Sequence, residues 1–336
     1  MRAKSILVVW LTLSMIPGQV LAWGDTGHRT IGETAMQALP VQLPAFLRTK
    51  HAITDVGEYS REPDLWRGSG TIHDADRDPA HFIALDDDGK TLAGVGLDAL
   101  PQTRSQFEAL LRAKGIDPAK GGYLPYSTAD AYEQVVKDMA YWRVISLAIS
   151  RETRPRMHMW LKGARLRRED LLLRDIGILS HYAGDATQPM HLSIHSNGWG
   201  EFPNPKGFTT APIHWPIEGA YVRLHVAHRD VQKQMVVYQA CSDAPELCIQ
   251  RRLLRNFTQI VPLYTLEKAG GFKNKDPRGP IYLAGLIARG ASDLRDMIVD
   301  AWGSSNSIGV GHGQITYDMA LHAKSVNLTE VIFGES

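Results

Sequence analysis

Apolar residues recur at helical spacing along most of this chain, whereas the strict alternation that is typical of strands is scarce. The helical period occupies residues 31–39, 107–111, 132–142, 171–187, 217–228, 231–241 and 281–302. Only the stretch from Phe82 to Leu85 favours an extended conformation, and long loops are expected at 69–79 and 195–212. No repeat, low-complexity tract or Ser/Gly linker divides the chain, so the pattern predicts an all-α fold in a single domain.

The first 22 residues have the parts of a secretory signal peptide. Arg2 and Lys4 precede an apolar run over residues 6–16, and small residues end at Ala22. The run is shorter than the ~20 residues that a membrane span needs, so we expect no transmembrane anchor. We therefore predict a secreted or periplasmic protein with a signal peptide at 1–22, a helical domain at 23–303 and a polar C-terminal tail at 304–336.

The charge balance argues against non-specific attraction of polyanions. The chain has 37 Lys and Arg residues and 36 Asp and Glu residues; the loss of Arg2 and Lys4 with the signal peptide leaves 35 against 36, a net charge of −1. A polyanionic substrate must then be held by local features, such as bound cations. The sequence has neither a Gly-x-x-x-x-Gly-Lys loop nor a strand-linked Gly-x-Gly-x-x-Gly, so no nucleotide cofactor is expected.

The only two cysteines are Cys241 and Cys248, seven positions apart. In an exported protein this spacing favours a small local disulfide, and two reduced thiols are the alternative. Both cysteines lie outside the histidine-rich stretches, so a metal site there would use nitrogen and oxygen ligands.

The segment from Ser180 to His191 has the residues most typical of metal ligands. His181 and Asp185 are one helical turn apart and project from one face, while Pro189 ends the helix ahead of His191. A second pair, His214 and Glu218, repeats the i, i+4 spacing. Zinc is bound by such mixtures of imidazole and carboxylate, although a single pair of this kind could equally be a surface ion pair worth a few tenths of a kcal/mol.

Cleavage after Ala22 would make Trp23-Gly24 the new terminus, with His28 five residues on. Together with His-x-x-x-Asp-x-x-x-x-x-His at 181–191 and His-x-x-x-Glu at 214–218, this pattern resembles the zinc-dependent single-strand nucleases of the S-one/P-one type and their relatives, the bacterial zinc phospholipases C. The resemblance spans residues 23–221. It implies a mainly helical fold with three zinc ions in one cleft and an enzyme that hydrolyses phosphodiesters.

The resemblance also implies a role for each ligand position. The amino and carbonyl groups of Trp23 bind one zinc ion beside His28, and Asp185 bridges two ions. The partner ion takes His181 with two upstream ligands, which we place at Asp64 and His81. The remaining ion is held by His191, His214 and Glu218. The upstream ligands have alternatives nearby, namely Asp55, His73, Asp74 and Asp76. Manganese or iron is not distinguished from zinc by spacing alone.

Two catalytic residues follow from the same resemblance. Asp64 serves both as a ligand and as the group that orients or deprotonates water, and Arg67 stabilises the charge of the transition state. Phe82 is the candidate that stacks on a nucleobase, with an ordinary core position as the alternative. The nucleases commonly place an Asp two residues later, where this chain has Ala84. His195 is either a partner of a ligand or substrate, or a packing residue.

The expected substrate is single-stranded DNA or RNA, with 3′-nucleotides as a related class. At position 218 the nucleases usually have Asp, whereas this chain has Glu, as the phospholipases do. The amino-acid sequence of residues 181–191 also resembles that of the phospholipases. The alternative is therefore a phospholipase C that acts on lipid headgroups, which would need apolar or aromatic residues around the mouth of the cleft. A third hypothesis is a non-enzymatic zinc protein with closed coordination.

Overall fold

The computed structural model describes residues 23–273 and 275–334. Within these residues the chain is helical and contains isolated β-bridges but no β-strand, which confirms the predicted all-α class. The α-helices are α1 Gly24–Gln37, α2 Lys50–Tyr59, α3 Glu62–Leu65, α4 Thr71–Arg77, α5 Arg104–Ala113, α6 Pro118–Gly121, α7 Leu124–Arg151, α8 Pro155–Asp185, α9 Val222–His225, α10 His228–Gln234, α11 Pro245–Phe257, α12 Ile260–Lys268, α13 Arg278–Ser304, α14 Tyr317–His322 and α15 Leu328–Phe333. Short 3₁₀ turns occur at Ala45–Arg48, Asp78–His81, Leu97–Ala99 and Pro189–Leu192, and a π-helix at Pro216–Tyr221.

The three long helices α7, α8 and α13 pack together, and α1 and α2 cover α8 and α13. Their apolar faces supply most of one large core, which includes Ile31, Met139, Ile176 and Leu294. Burial of such side chains contributes roughly 25 cal/mol for each Å² removed from water. The packing brings the N-terminal turn of α1 against the C-terminal turn of α8, where the candidate ligands lie.

The extended stretch predicted at Phe82 to Leu85 is present as a short pairing with residues 191–194. The backbone N–H of Ile83 donates to the carbonyl of His191 over 2.9 Å, and that of Ile194 donates to Leu85 over 2.9 Å. Phe82 itself has extended backbone angles. This pairing fixes the residues that follow His81 against the residues that follow His191.

Residues 69–79, which the sequence suggested as a loop, contain helix α4 and the first half of a 3₁₀ turn. The Asp74 carboxylate accepts backbone N–H groups from Gly68 and Ser69 over 3.2 and 3.3 Å, which folds the preceding turn back onto the helix. Helix α4 is therefore stabilised by hydrogen bonds of the Asp74 side chain and has no buried apolar face, which is why apolar periodicity did not predict it.

The helical period at 231–241 was misleading, because α10 ends at Gln234 and the chain then runs extended along α13. Three residues of α13 at successive turns, Ser292, Asp296 and Asp300, accept the backbone N–H groups of residues 236, 239 and 241, each over 3.2 Å. Because side chains of α13 accept hydrogen bonds from these backbone amides, the segment need not form a helix to satisfy them.

Cys241 and Cys248 form the expected disulfide, which joins this extended segment to the first turn of α11. A disulfide is compatible with the predicted secreted location. The predicted signal peptide, residues 1–22, lies outside the described residues. Among the helices described, none combines the length and the apolar character that crossing a bilayer demands.

The segment predicted as a polar C-terminal tail contains buried apolar residues and is folded over residues 304–334. Val310 and Ile315 pair through a bridge, and with Leu328 and Ile332 they form a second small core against α7 and α8. The Trp160 and Phe333 rings meet edge to face at 4.8 Å. The expected boundary at residue 303 stays a prediction, since the segment packs on the same two helices that carry the main core.

Candidate metal centre

The predicted ligands come from six elements of the chain and meet at the C-terminal end of α8. His28 lies in α1, Asp64 in α3, and His181 and Asp185 in the last two turns of α8. His81 and His191 lie in 3₁₀ turns and Glu218 lies in the π-helix, while His214 lies two residues before the π-helix begins. Single π-turns are often found at functional sites, because they redirect side chains out of the regular helical register.

Two close backbone approaches bring these elements together. A Cβ atom on Gly177 would lie 2.4 Å from the Cβ of Tyr59, so only glycine lets the end of α2 approach α8 here. Gly24 has a φ of +50°, and a Cβ atom on it would lie 3.2 Å from the Cα of Gly219. The first approach places the Ser60 carbonyl at His181, and the second places Trp23 beside Glu218.

Three groups of side chains could each hold a metal ion, since their ligand atoms lie within 4.8 Å of one another. They are His28, His181 and Asp185; Asp64, His81 and His181; and His191, His214 and Glu218. The predicted cofactor, three metal ions, thus has three candidate positions in the structure. The second and third groups have the memberships that the family resemblance implied.

Asp185 lies between the first two groups. Its Oδ1 atom is 3.5 Å from His28 Nε2, while its Oδ2 atom is 3.1 Å from His81 Nδ1 and 3.3 Å from His181 Nε2. Asp64 is more distant, with Oδ1 3.9 Å from His81 Nδ1 and 4.0 Å from His181 Nε2. One carboxylate therefore faces both groups with different oxygens, as a bridging ligand must.

The third group is more compact on one side. The Oε2 atom of Glu218 lies 2.7 Å from His214 Nε2 and 3.8 Å from His191 Nε2. The rings of His191 and His214 meet edge to face, with centroids 4.9 Å apart. All three side chains are buried, so their nitrogen and oxygen atoms have little access to water.

The polar atoms of this centre lack the partners that buried polar atoms normally have. Among the described residues, no hydrogen bond is made by either ring nitrogen of His28, by Nε2 of His191 or by Oδ1 of Asp64 and of Asp185. Buried polar atoms left unpaired cost ~1 to 3 kcal/mol each. A cluster of imidazole nitrogens and carboxylate oxygens in this condition fits divalent metal ions of the zinc type, which would satisfy all of them at once.

Partners outside the three groups fix the orientation of several ligands. The Nδ1–H group of His181 donates to the Ser60 carbonyl over 2.8 Å, and that of His191 donates to the His81 carbonyl over 2.6 Å. Because a carbonyl only accepts, the Nε2 atom of each ring is left with the lone pair that a metal requires. The Nε2–H group of Gln188 donates to Glu218 over 3.0 Å.

Neither Ser60 nor Gln188 was predicted as part of the site. A backbone carbonyl leaves no mark in the sequence, so Ser60 could not have been found. Gln188 had one available signal, since an amide immediately before Pro189 in a histidine-rich turn is suited to holding a neighbouring ligand. In the structure its side chain is fully buried and also accepts the backbone N–H of Met190 over 3.2 Å.

Burial dominates the protonation of the centre. It lowers the pKa of His28 well below the ordinary value and lowers the pKa of His214 to about 3, so these imidazoles are neutral. It raises the pKa of Asp64 to about 7 and that of Glu218 to about 8. Although burial also favours the neutral acid at Asp185, the neighbouring histidines, His181 first, hold its pKa well below the usual range.

Trp23 contacts the site at two points, one through its backbone and one through its indole ring. Its backbone N–H donates to the Glu218 carboxylate, and its fully buried indole donates to the Gly184 carbonyl over 2.8 Å. The structure places it at the third group, whereas the resemblance assigned it to the ion beside His28. Its role as a ligand through a free amino group stays a prediction.

A cleft of about 510 Å³ adjoins the centre, and the otherwise buried side chains of His81, His191 and His214 form part of its lining. The predicted residues Arg67 and Phe82 both line the cleft, and Asp64 lies next to Arg67, with Oδ1 3.5 Å from Nη2. Arg67 also lies 3.7 Å from Asp78. The rest of the wall is mainly apolar and includes Ala84, Leu92, Met190, Ile194 and Phe202, with Lys120 as a second cation.

The alternative upstream ligands do not join any of the three groups. Asp55 pairs with His51 on the surface of α2, and Asp74 pairs with His73. His195 contacts no ligand: its ring nitrogens lie 2.8 Å from the Trp199 carbonyl and 2.8 Å from Asp87. It therefore holds the loop that carries Phe202, not the metal centre itself.

Comparison of the whole chain with protein-family models, curated proteins and solved structures finds no match.

Proposed function

We propose that this protein is a secreted, zinc-dependent phosphodiesterase that hydrolyses single-stranded DNA or RNA and related 3′-nucleotides. One observation carries the proposal: three metal-capable groups meet in a single buried centre, and a cleft with a guanidinium on its wall leads to it. A purely structural zinc site would be closed by its protein ligands, whereas here three of the histidines face the cleft.

The residues have distinct tasks in this reaction. Zinc ions, when bound, would supply positive charge at the phosphoryl oxygens and a water of lowered pKa. Asp64, which would also help to hold a metal ion, would orient the attacking water and accept its proton as the water oxygen bonds to phosphorus. Arg67, 3.5 Å from Asp64, donates to the phosphoryl oxygens while the bond to the leaving oxygen breaks, and the leaving oxygen takes a proton from solvent.

The cleft wall accommodates the group attached to the phosphate. Phe82 follows the ligand His81 directly and presents its ring to the cleft, where a nucleobase could stack with a gain of ~1 to 3 kcal/mol. Ala84 offers no hydrogen bond to a base edge. We therefore expect stacking at this position to be tolerant of base identity.

A second candidate function is favoured by the apolar wall. Leu92, Met190, Ile194 and Phe202 line the cleft beside Phe82, and Phe202 is partly exposed. An apolar and aromatic lining of this kind is what a phospholipase C would need in order to contact lipid. The same centre would then release a phosphorylated headgroup from a lipid.

The test compares turnover of a single-stranded oligonucleotide and of phosphatidylcholine vesicles by zinc-loaded protein that begins at Trp23. Arg67→Ala should lower kcat on the true substrate by about 10² to 10³-fold, and His191→Ala should abolish activity. Arg229→Ala, which removes an exposed guanidinium outside the cleft, is the matched control. Unchanged turnover in Arg67→Ala would contradict the assigned role, and headgroup release without oligonucleotide cleavage would establish the second candidate.

A further inference from the structure

A second concavity of about 370 Å³ lies behind the wall of the catalytic cleft. The same short segments line both: Arg67, Asp78 and His81 face the cleft, and their neighbours Trp66, Arg77 and Ala80 face the second concavity. At one point the wall consists of two rings, since His81 and Tyr182 lie with centroids 6.0 Å apart and line opposite sides. The two concavities are therefore neighbours, and an extended polymer bound in the cleft is well placed to reach the second one.

The ridge side of this concavity combines an aromatic ring with two cations. The guanidinium carbons of Arg77 and Arg174 lie 5.6 and 6.0 Å from the centre of the Trp66 ring. Arg174 is paired with Asp175 over 3.3 Å. Arg77 donates only to the His73 carbonyl, over 3.4 Å, and no carboxylate of the described residues lies within ion-pair distance of it. Its charge is therefore available to an anionic group of a ligand.

The opposite side is formed by α7 and presents hydrogen-bonding side chains. Ser127, Asp130 and Gln134 follow one another at helical spacing along this side. Carboxylates accept hydrogen bonds from the amino groups of nucleobases, and amides pair with base edges through a donor and an acceptor. The catalytic cleft has no such group beside Phe82, where Ala84 stands.

The carboxylates of the concavity decide which ligand class fits. A free phosphate would be repelled by Asp130, and a lipid chain would remove water from the Asp130 carboxylate and the Arg77 guanidinium without replacing it. Asp76, at the rim, is neutralised by Arg104 over 2.7 Å. A nucleotide satisfies the whole set, because its phosphate pairs with Arg77, its base stacks on Trp66, and the amino group of the base donates to Asp130.

We propose that this second concavity is a nucleotide subsite, which binds a base and phosphate of the same strand beyond the phosphate being cleaved. The inference rests on the proposed nuclease function and deepens it, since it assigns substrate length and base preference to a place outside the catalytic cleft. Strands that reach the subsite bind more tightly than a dinucleotide, and bases with an amino group are preferred there.

The experiment measures kcat and KM on a dinucleotide and on an eight-nucleotide single strand. Trp66→Leu and Arg77→Ala should each raise KM for the longer strand about tenfold, with both constants for the dinucleotide within about twofold of the starting protein. Arg77→Ala should also reduce the dependence of log KM on log salt by about one ion. Asp130→Asn should weaken the preference for amino-bearing bases. Arg154→Ala, an exposed guanidinium at the start of α8, is the matched control.

Equal effects on both substrates, or no effect on either, would overturn the subsite. If the starting protein cleaves neither substrate, the proposed function fails, and the subsite is then judged by binding of the eight-nucleotide strand. Quenching of tryptophan fluorescence that is lost in Trp66→Leu but kept in Arg154→Ala supports the subsite, and identical binding by both variants refutes it.

Discussion

Gln188 is the residue whose replacement most directly tests how the third metal group is held. Its fully buried amide donates to the Glu218 carboxylate over 3.0 Å and accepts the backbone N–H of Met190 over 3.2 Å. Gln188→Ala removes both bonds and leaves a side chain too short to replace either. The carboxylate then loses the donor that both orients it and lowers its pKa.

The magnitude follows from the chemistry of the lost bond. A hydrogen bond to a charged group contributes ~1.5 to 3 kcal/mol, and each 1.4 kcal/mol corresponds to about a factor of ten in a binding constant. We therefore expect zinc affinity at this group to fall by roughly ten- to a hundredfold, the range found when partners of metal ligands are removed. The unpaired Met190 N–H adds a loss of ~1 to 3 kcal/mol in the free energy of unfolding.

The assay is a competition titration of zinc against a fluorescent chelator, with circular dichroism melts of the same samples. Gln232→Ala is the matched control, because that amide is exposed and bonds only to Gln37. Zinc affinity equal to that of the starting protein, in a Gln188→Ala variant that melts normally, would refute the reasoning. Glu218 would then be oriented by the Trp23 amide alone.

Three further predictions concern the rest of the centre and the fold. Without metal, Asp64 and Glu218 should together lower the free energy of unfolding as the pH rises from about 4 to 8, because burial raises their pKa values to about 7 and about 8, and over this range the folded state holds protons that the unfolded state has released. Urea unfolding of Glu218→Gln should show a shallower dependence of this free energy on pH, and an unchanged dependence would contradict this. An alanine added before Trp23 should lower the zinc content measured by mass spectrometry from three ions per chain to two, and an unchanged content would exclude the terminal amine as a ligand. Replacing Cys241 and Cys248 by serine should cost about 2 kcal/mol of unfolding free energy, and urea melts with no shift would mean that the loop they close is already ordered in the unfolded chain.

The parts of the centre that sequence could predict are those whose geometry is local. His181 and Asp185 share a helix face by the helical repeat alone, and His214 and Glu218 lie close together although Glu218 belongs to a π-helix that begins after His214. The upstream carboxylate ligand could not be predicted in this way, because sequence spacing did not distinguish Asp64 from Asp55, Asp74 or Asp76. Only the packing of α3 against α8 decides between them, and that packing depends on contacts more than a hundred positions apart in the chain.

The errors have physical causes that residue patterns do not contain. The extended segment after Gln234 looked helical, because its apolar residues have helical spacing, but its amides bind to side chains of α13. The C-terminal segment looked polar because its few apolar residues are widely spaced, and yet Val310 and Ile332 are buried together. In both cases the deciding partner lies far away in the sequence, where a window of residues cannot reveal it.

The docking of α1 on α13 bears on when the centre can form during folding. Among the described residues no candidate ligand lies beyond Glu218, but Ile31 of α1 packs against Gly290 of α13. Contacts between such distant segments form late, because the entropy of closing the loop must be overcome before they stabilise anything. A chain that stops before α13 would contain every candidate ligand among the described residues but would lack one of the helices against which α1, with His28, is packed. Complete metal loading would therefore report that the whole domain has folded.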